Sequence, residues 1–344
     1  MKQYISVSVI ALLIGCSEPV IGGSPPGRII GWGYNVSGDI FGSPTNSDSI
    51  GYVRVGGHEL TNVVAIAAEG LHAMALKGDG TVVAWGWDEN KRLVTVPSGL
   101  SNVTAISLAG DHNLALKADG TVVAWGYDTN AAWYDPATVV PDGVSNVVAI
   151  SGGGIGTLVL KRDGTIERWG GEAGAPPQGL SNIVAIAENG GDISDDLALR
   201  KDGTIVAWRS LYTAVNGPFP IPPGLSNNVV AVATGYTHCL ALKKDGTVAA
   251  WGSAHGGFMH PDYGQLNVPA GLSNVVAIAG GPAISLALKK DGTVTVWGDN
   301  HHHQIDLAAG LSNIVAIAAG YDFCLAIQTN GTLPYAKIPA PSPK

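Results

Sequence analysis

The chain has 344 residues, of which 46% are hydrophobic and only 13% are charged, and it contains 48 Gly and 20 Pro. This is the composition of a globular protein in which short strands and tight turns outnumber long surface helices. The formal net charge is −8, and the 19 Lys and Arg residues are scattered along the chain. A phosphate-binding face needs clustered positive charge, so the sequence argues against a nucleic-acid partner.

Residues 1–16 have the pattern of an export signal. One basic residue, Lys2, precedes an apolar run over residues 5–14, which is too short for the ~20 residues that span a bilayer. Leu13-Ile14-Gly15-Cys16 resembles the bacterial lipobox. That resemblance implies a lipoprotein signal peptide with Cys16 as the lipidation site, and an exported chain anchored in the cell envelope, at the outer membrane or cell surface. An ordinary secretory signal with a chance cysteine is the alternative. Residues 17–27, rich in Gly and Pro, are predicted to be a tether.

Two short phrases recur along the rest of the chain. Asn-Val-Val-Ala-Ile or a close variant begins at Asn62, Asn102, Asn146, Asn182, Asn228, Asn274 and Asn313. Leu-Ala-Leu-Lys-x-Asp-Gly-Thr-Val-x-x-Trp-Gly follows the first six copies with small changes; its tryptophans are Trp85, Trp125, Trp169, Trp208, Trp251 and Trp297. Repetition at about 40 residues per unit indicates a repeat architecture.

The chemistry of the unit favours strands. Asp-Gly between apolar runs is a preferred hairpin turn, because Gly tolerates positive φ. We interpret each unit as four strands: the Asn-Val-Val-Ala-Ile strand, the Leu-Ala-Leu strand, the Val-x-x-Trp strand and a weaker outer one. Such a sheet cannot bury both apolar faces alone, whereas seven packed around an axis can. The predicted fold is an all-β, seven-bladed β-propeller with four-stranded antiparallel blades.

The two chain ends are predicted to share the last blade. Residues 27–33 match the third-strand phrase, but the sequence before them contains no match to the first two strands of a unit. The last unit has the opposite defect: its third strand would include Pro334, which has no N–H to donate to a neighbouring strand. The N-terminal segment is therefore expected to close that blade. This gives a propeller over residues 28–333 and a flexible tail over residues 334–344.

The repeat Ala-Gly-x-x-His-x-Leu-Ala-Leu-Lys-x-Asp-Gly-Thr-Val-x-x-Trp-Gly resembles the regulator of chromosome condensation repeat. The copies that close with Val-Pro-x-Gly-Leu-Ser-Asn resemble its bacterial branch, which includes secreted β-lactamase-inhibitor propellers. The resemblance covers residues 28–333 and implies a propeller whose partner-facing residues come just after Ala-Gly. These positions hold Leu71, Asp111, Ile155, Tyr236, Pro282 and Tyr321, and the two aromatics, Tyr236 and Tyr321, are candidate partner contacts.

Variation is concentrated in one set of connections. The stretch from each Trp to the next phrase Asn varies from 13 residues (Trp169 to Asn182) to 30 (Trp32 to Asn62). In an up-and-down blade these stretches share one face with the connections between first and second strands, which we call the loop face. Loops on a rigid scaffold often carry binding, and Trp and Tyr are favoured in interfaces. The variable stretches supply further candidate contacts: Trp87, Tyr127, Trp133, Tyr134, Tyr212, Phe219, Phe258 and Tyr263.

Other polar residues are interpreted as structural. His72, His112 and His238 recur at one repeat position, which indicates scaffold hydrogen bonding. Adjacent side chains rarely converge on one metal, so His301-His302-His303 is read as a loop or an adventitious site, and no metal is assigned. The insertion at residues 191–196, beside Glu188, is read as a solvated acidic loop, with Ca²⁺ as the alternative. Cys239 and Cys324 occupy one repeat position two units apart, too far for a disulfide, and are predicted to be buried thiols.

The favoured function is a monomeric, non-catalytic binding module that presents its loop face to a protein partner, without a cofactor and with membrane contact only through the lipid anchor. One alternative is glycan binding on the loop Trp and Tyr rings. The other is a polysaccharide-degrading enzyme, for which Glu69, Asp111 and Asp322 would be the axial ionisable candidates. No nucleophile-elbow, zinc-protease or phosphate-loop motif is present.

Overall fold

A computed structural model describes residues 26–35, 48–86, 94–126, 137–154, 156–170, 175–188, 195–208, 220–253 and 262–330. Cys16, residues 1–25 and the tail at 331–344 lie outside the described residues. Within the described ranges the chain is all-β apart from one five-residue helix, α1 (Gln304–Ala308). No helix among these residues has the length and apolar character that crossing a membrane requires.

The described strands form seven sheets, numbered I to VII, and one two-stranded hairpin. The sheets follow one another along the chain: I, β5 (Val63–Glu69), β6 (His72–Lys77) and β7 (Val82–Gly86); II, β8 (Val103–Leu108), β9 (His112–Lys117) and β10 (Val122–Gly126); III, β11 (Val147–Gly152), β12 (Thr157–Lys161) and β13 (Ile166–Trp169); IV, β14 (Ile183–Ala187), β15 (Asp196–Arg200) and β16 (Ile205–Trp208); V, β17 (Val229–Thr234), β18 (His238–Lys243) and β19 (Val248–Gly252); VI, β20 (Val275–Gly280), β21 (Ile284–Lys289) and β22 (Val294–Gly298); VII, β23 (Ile314–Ala319), β24 (Phe323–Gln328), β1 (Arg28–Tyr34) and β2 (Asp48–Tyr52). The hairpin pairs β3 (Arg54–Val55) with β4 (His58–Glu59).

The repeated Asp-Gly-Thr triplet forms the turn between the second and third strands. In sheet I the Asp79 carboxylate accepts hydrogen bonds from the backbone N–H of Thr81 at 3.0 Å and from its hydroxyl at 2.6 Å. Gly80 has φ +80°, a conformation that Gly adopts without strain. The same bonds recur in sheets II to VI, so Asp, Gly and Thr each have a structural function in the turn.

The phrase asparagine connects one sheet to the next. Asn102 has φ +58°, a left-handed conformation in which Asn is enriched, and five other phrase asparagines share it. The N–H of the following residue, Val103, donates to the Gly80 carbonyl of the preceding turn at 3.2 Å. Equivalent bonds join sheet II to III, IV to V, V to VI and VI to VII, so the first phrase helps to fix the spacing of these sheets as well as starting a strand.

The core lies between the sheets. Each pair of consecutive sheets encloses one hydrophobic cluster, and another cluster fills the space between sheets VII and I. The first strands of the sheets contact one another in chain order, and β23 of sheet VII contacts β5 of sheet I. The sheets therefore surround a common axis, with small alanines where the inner strands approach closely.

Sheet VII joins the two ends of the described chain. Strand β1 pairs antiparallel with β24, with Trp32 opposite Cys324, and lies between β24 and β2. Ile29, Ile30 and Trp32 are completely buried, and the Trp32 indole donates to the Gln304 carbonyl at 2.9 Å. The N-terminal segment thus occupies the third-strand position to which its sequence match assigned it.

The outer strand differs from expectation. Six sheets have three strands in the described residues, and only sheet VII has a fourth, β2. In sheet I the described part of the outer stretch is a turn instead, closed by the bond from Leu100 N–H to the Pro97 carbonyl at 3.2 Å. Pro and Gly at these positions oppose a strand, while Val96 and Leu100 still pack on the core. Neither helix α1 nor the β3–β4 hairpin was predicted.

The repeat histidines connect adjacent sheets, as predicted. Nε2 of His72 lies 3.0 Å from Oδ1 of Asn113, Nε2 of His112 lies 2.7 Å from the Thr157 hydroxyl, and Nε2 of His238 lies 2.9 Å from the Ser285 hydroxyl. Cys239 and Cys324 are buried thiols, also as predicted, and burial raises the pKa of Cys324 far above its usual range.

Replacing His112 by Gln is expected to destabilise the protein less at low pH than at neutral pH. Burial, with a contribution from His72, lowers the pKa of His112 to about 4, against 6.5 in the unfolded chain. The neutral ring therefore stabilises the fold fully above pH 6.5, and this contribution, about 3 kcal/mol, is lost as the pH falls towards 4. Denaturant titrations at pH 7.5 and 5 measure the change.

The exposed His58, changed to Gln, is the matched control and is expected to show no such trend. A His112→Gln penalty that is equal at both pH values would contradict a buried neutral ring.

Candidate functional site

The connections between first and second strands meet around the axis. In the described residues they cover 70–71, 109–111, 153–154, 156, 188, 195, 235–237, 281–283 and 320–322. Backbone bonds link those of neighbouring sheets: the Gly110 N–H donates to the Gly153 carbonyl at 3.1 Å, and the Tyr321 N–H donates to the Gly70 carbonyl at 3.1 Å. This end of the sheets is the loop face that the sequence analysis defined.

A partly open cavity of about 30 Å³, the axial cavity, lies among the inner strand ends. This is room for about one water molecule. Its walls come from sheets I to VI and are mostly small or apolar; the lining residues that carry polar side chains are Glu69, Ser107, Glu188, Thr234 and Tyr236. Acidic residues from sheets I and IV are therefore among those that line this small space.

Tyr236 connects two sheets across the axis. Its hydroxyl donates to Oε1 of Glu69 at 2.7 Å, although Tyr236 lies between β17 and β18 of sheet V and Glu69 ends β5 of sheet I. Burial raises the pKa of Glu69 to about 7, against the opposing effects of the Tyr236 hydrogen bond and the Gly70 backbone. Tyr321 of sheet VII packs edge-on against Tyr236, with ring centroids 6.2 Å apart, and is 41% exposed.

Glu188 belongs to a buried charge cluster. Nη2 of Arg168 donates to Oε1 of Glu188 at 2.9 Å, and Nε of Arg168 lies 3.9 Å from a carboxylate oxygen of Asp196. The Glu188 side chain is only 2% exposed, and its Oε2 has no hydrogen-bond partner. Burial, assisted by the charge of Asp196, raises the pKa of Glu188 well above its usual value. Arg168 therefore lies close to two buried acids.

Hydroxyl groups fix the backbone around this cavity. The Ser107 hydroxyl accepts from the Gly152 N–H, the Ser151 hydroxyl accepts from the Glu188 N–H, and the Thr234 hydroxyl donates to the Glu188 carbonyl, each at 2.9 Å. These bonds join sheets II to V in order. They hold the Glu188 backbone on both sides, so this residue has a fixed position at the cavity wall.

The structure describes three of the ten predicted contact residues. Tyr236 and Tyr321 meet at the axial cavity, and the ring of Tyr263 contacts His301 edge-on at 5.0 Å. Burial and the negative charge of Asp322 raise the pKa of Tyr321. The others lie outside the described residues: Trp87, Tyr127, Trp133, Tyr134, Tyr212, Phe219 and Phe258.

The three consecutive histidines lie close to three acids, and His302 and His303 both contact Asp48. Nδ1 of His301 lies 2.5 Å from Asp299, Nδ1 of His302 lies 3.1 Å from Asp48, and Nδ1 of His303 lies 3.0 Å from Asp306. Tyr34 stacks on His302 with centroids 4.3 Å apart. In the described part of the chain no group of His, Cys, Asp or Glu residues has a metal-binding arrangement. The triplet is a loop that leads into α1.

Sequence reasoning placed Glu69 at the axis but missed Glu188, which it assigned to a solvated acidic loop. Residues 189–194 of that insertion lie outside the described residues, whereas Glu188 and Asp196 are buried. The sequence did contain a signal for the Arg168–Glu188 pair, because both residues depart from the repeat. Arg168 stands where the other third strands of sheets I to VI have Ala or Val before the tryptophan, and Glu188 stands where the other units have a small or apolar residue. Gly156 makes room for the pair, since a Cβ there would collide with both side chains.

The comparison with protein families identifies the repeat. Residues 229–257 and 275–304 match the regulator of chromosome condensation (RCC1) repeat. These segments contain the strands of sheets V and VI. No curated protein matches the chain.

Solved structures give the fold. Prp20p from Saccharomyces cerevisiae is 15% identical over 96% of this chain and 94% of its own, with a TM-score of 0.68. Human WBSCR16 is 16% identical over 89% of this chain and 100% of its own, with a TM-score of 0.63. The CRINKLY WD40 ectodomain of Arabidopsis thaliana ACR4 is 18% identical over 71% of this chain and 82% of its own, with a TM-score of 0.52. The chain has an RCC1-like propeller fold.

Proposed function

We propose that this protein is a non-catalytic binding module that holds a protein partner on its loop face, around the axial cavity. The observation that carries the proposal is the Tyr236–Tyr321 pair. These are the two aromatics at the family's partner-facing repeat position, and they converge from sheets V and VII onto one rim. Tyr321 is one of only two large hydrophobic side chains that are exposed in the described residues. An exposed Tyr on a rigid rim has the character of an interface hot spot.

The ionisable groups near the axis fit binding better than catalysis. Glu69 is hydrogen-bonded to Tyr236, and Glu188 is ion-paired with Arg168. Both carboxylates are held by the scaffold, and the space between the walls is too small for a sugar ring. Structural relatives offer an analogy for protein binding: Prp20p was described with its binding properties to Gsp1p and histones, and Kap60 was crystallised bound to it.

The proposal includes the finer architecture. The seven sheets would be the blades of one closed propeller, with sheet VII as the blade that the N-terminal strand completes. Contact between β23 and β5 and the bond from Tyr321 N–H to the Gly70 carbonyl support closure.

The proposed location is the bacterial cell envelope. Its support is the leader alone, namely Lys2, the apolar run at residues 5–14 and the lipobox-like Leu13-Ile14-Gly15-Cys16. Radiolabelled palmitate incorporation into the full chain, compared with Cys16→Ala, tests the anchor. Equal labelling of both forms would contradict it.

Changing Tyr321 to Ala is expected to reduce recovery of the partner at least tenfold. Loss of a hot-spot side chain costs about 2 kcal/mol of binding free energy, and 1.4 kcal/mol is a factor of ten. The full chain is used as bait in affinity capture from envelope extract, with quantitative mass spectrometry as the readout.

Val139→Ala is the matched control, because Val139 is the other exposed large hydrophobic residue, at 58%. A protein captured by the wild type and Val139→Ala but lost with Tyr321→Ala supports the proposal. Equal capture by all three baits would place the contact elsewhere. A glycan bound in place of a protein would support the alternative reading.

A further inference from the structure

We propose that the face opposite the loop face docks on an anionic phospholipid surface, so that the loop face points away from the membrane. This face is formed by the hairpin turns between second and third strands, and we call it the turn face. The inference rests on the proposed lipid anchor, and it deepens the proposed function by fixing the direction in which the partner-binding face points.

The point at which the chain enters the sheets is the first argument. Strand β1 begins at Arg28, which lies opposite Gln328 at the end of β24, and second strands end at the turn face. Gly27 and Val63 exchange backbone hydrogen bonds of 2.9 and 3.1 Å, at the level where the first strand of sheet I begins. Pro26 is exposed. A chain anchored through Cys16 therefore reaches the sheets at the turn face.

The length of the connection keeps the turn face close to the lipid. Ten residues separate Cys16 from Gly27, and no conformation of ten residues spans more than about 35 Å. The strands of the sheets place the loop face roughly 20 Å farther along the axis. The connection limits the distance but leaves the tilt of the sheets free, so the orientation depends on charge.

The charge of the turn face is the second argument. Ten of the 19 Lys and Arg residues of the chain lie in the second-to-third-strand turns of sheets I to VI, although the sequence scatters them. These turns cover residues 77–81, 117–121, 161–165, 200–204, 243–247 and 289–293. Ten bases against six acids give them a net charge of +4, which leaves −12 for the rest of a chain whose total is −8.

The positive excess is concentrated in three consecutive sheets. The first base of a turn lies near the turn Asp, as Nζ of Lys289 does at 3.5 Å from Asp291. Nζ of Lys244 donates to the Asn227 carbonyl at 3.4 Å, which leaves its charge unbalanced. Sheets IV, V and VI each have such a second, exposed base, namely Lys201, Lys244 and Lys290.

The turns of sheets I to III are balanced. Sheets I and II have one base each, which lies near the turn Asp. Sheet III has a second base, Arg162, but Glu167 of β13 pairs with Lys161 there. The positive arc therefore covers sheets IV to VI and ends beside sheet VII, where the chain enters.

The loop face has the opposite character. Its described first-to-second-strand connections contain no Lys or Arg, whereas Asp111 is exposed and Asp322 is partly buried there. One basic side chain near an anionic membrane surface contributes about 1 kcal/mol, a factor of about five. Three such bases favour the turn face by roughly a hundredfold at low ionic strength.

The test measures which face meets the lipid. The full lipidated chain is reconstituted into vesicles of three parts phosphatidylcholine to one part phosphatidylglycerol that carry a short-range quencher on a lipid headgroup. A fluorophore is attached to Ala118→Cys on the turn face or to His301→Cys on the loop face; both positions are exposed, whereas Cys239 and Cys324 are buried. The turn-face reporter should be quenched at least threefold more than the loop-face reporter.

Two comparisons isolate the charge effect without altering the turn bases. The quenching ratio should fall on vesicles of phosphatidylcholine alone. It should also fall on the anionic vesicles in 1 M potassium chloride, where the screening length is about 3 Å.

A set of charge variants assigns the effect to residues. Changing Lys201, Lys244 and Lys290 together to Gln should remove most of the difference between the two reporters. Changing the same three residues to Arg is the matched control, and it should keep the difference because the charge is retained. If the Gln variant fails to fold, the salt and lipid comparisons still decide the question.

Equal quenching of the two reporters on anionic vesicles, or stronger quenching on the loop face, would overturn the proposal. A Gln variant that folds and keeps the wild-type ratio would also overturn it. A chain that floats with vesicles of neither composition lacks the anchor, which would overturn the proposed location together with this orientation. The Tyr321 capture experiment is independent of these results, so the binding function and the orientation fail separately.

Discussion

Deleting residues 28–33 is expected to abolish cooperative unfolding at physiological temperature. The deletion removes the strand that lies between β24 and β2, and with it the three fully buried side chains Ile29, Ile30 and Trp32. These belong to two hydrophobic clusters, one on each side of sheet VII. A repeat ring that loses one sheet exposes both neighbouring interfaces. Calorimetry of the full and shortened chains measures the effect.

Two point variants measure how much Trp32 contributes to the packing of β1. Trp32→Ala should lower the free energy of unfolding by about 3–5 kcal/mol, as large-to-small core substitutions do. Trp32→Phe, which keeps most of the buried ring and loses the bond to the Gln304 carbonyl, should cost about 1 kcal/mol. An unchanged melting temperature in the shortened chain would show that the ring closes without β1.

Replacing Arg168 by Met should destabilise the protein by about 3–5 kcal/mol at pH 7. Met keeps much of the packing volume but removes the charge, so the buried Glu188 loses the guanidinium that pairs with it. Removing one member of a buried ion pair costs this much because the remaining charges stay desolvated. The penalty should shrink as the pH falls, since protonation neutralises the two acids. Denaturant titrations at pH 7 and 5 measure both effects.

Arg162→Met is the matched control, because Arg162 is exposed beside the hairpin turn of sheet III; a change within about 0.5 kcal/mol is expected there. Combining Arg168→Met with Glu188→Gln should recover part of the loss, because one of the orphaned charges is removed. If Arg168→Met costs no more than Arg162→Met, the cluster contributes no stability.

The strand positions were predictable because the chain repeats them. Asp-Gly-Thr turns, Val-rich runs and buried tryptophans each follow from local chemistry. Because the pattern recurs in seven units, an ambiguous strand in one unit can be assigned from the others. The outer segment was predicted less well. In sheet I, Val96 and Leu100 of this segment pack on the core, but Pro97 and Gly99 oppose the hydrogen bonding of a fourth strand. Apolar residues alone were therefore not enough to predict a strand there.

The candidate site was only partly predictable. Tyr236, Tyr321 and Glu69 were named from their repeat positions, but their meeting at one cavity depends on sheets I, V and VII facing a common axis. Glu188 was misread because acidic residues in an insertion normally face solvent. Its burial follows from Arg168, which is twenty residues away on another sheet and has no sequence motif that links it to Glu188.

The sequence by itself determined the repeat, the all-β class, the turns and the side of each sheet on which variation lies, because these depend on contacts within one unit. Only the tertiary structure decided which side chains share the axis. Inner strands bring together residues from units that are far apart in the chain, and the distance between Tyr236 and Glu69, 167 positions apart, is set by how the intervening sheets pack. Packing geometry, not local pattern, therefore creates the axial cavity and brings Glu69 to Tyr236.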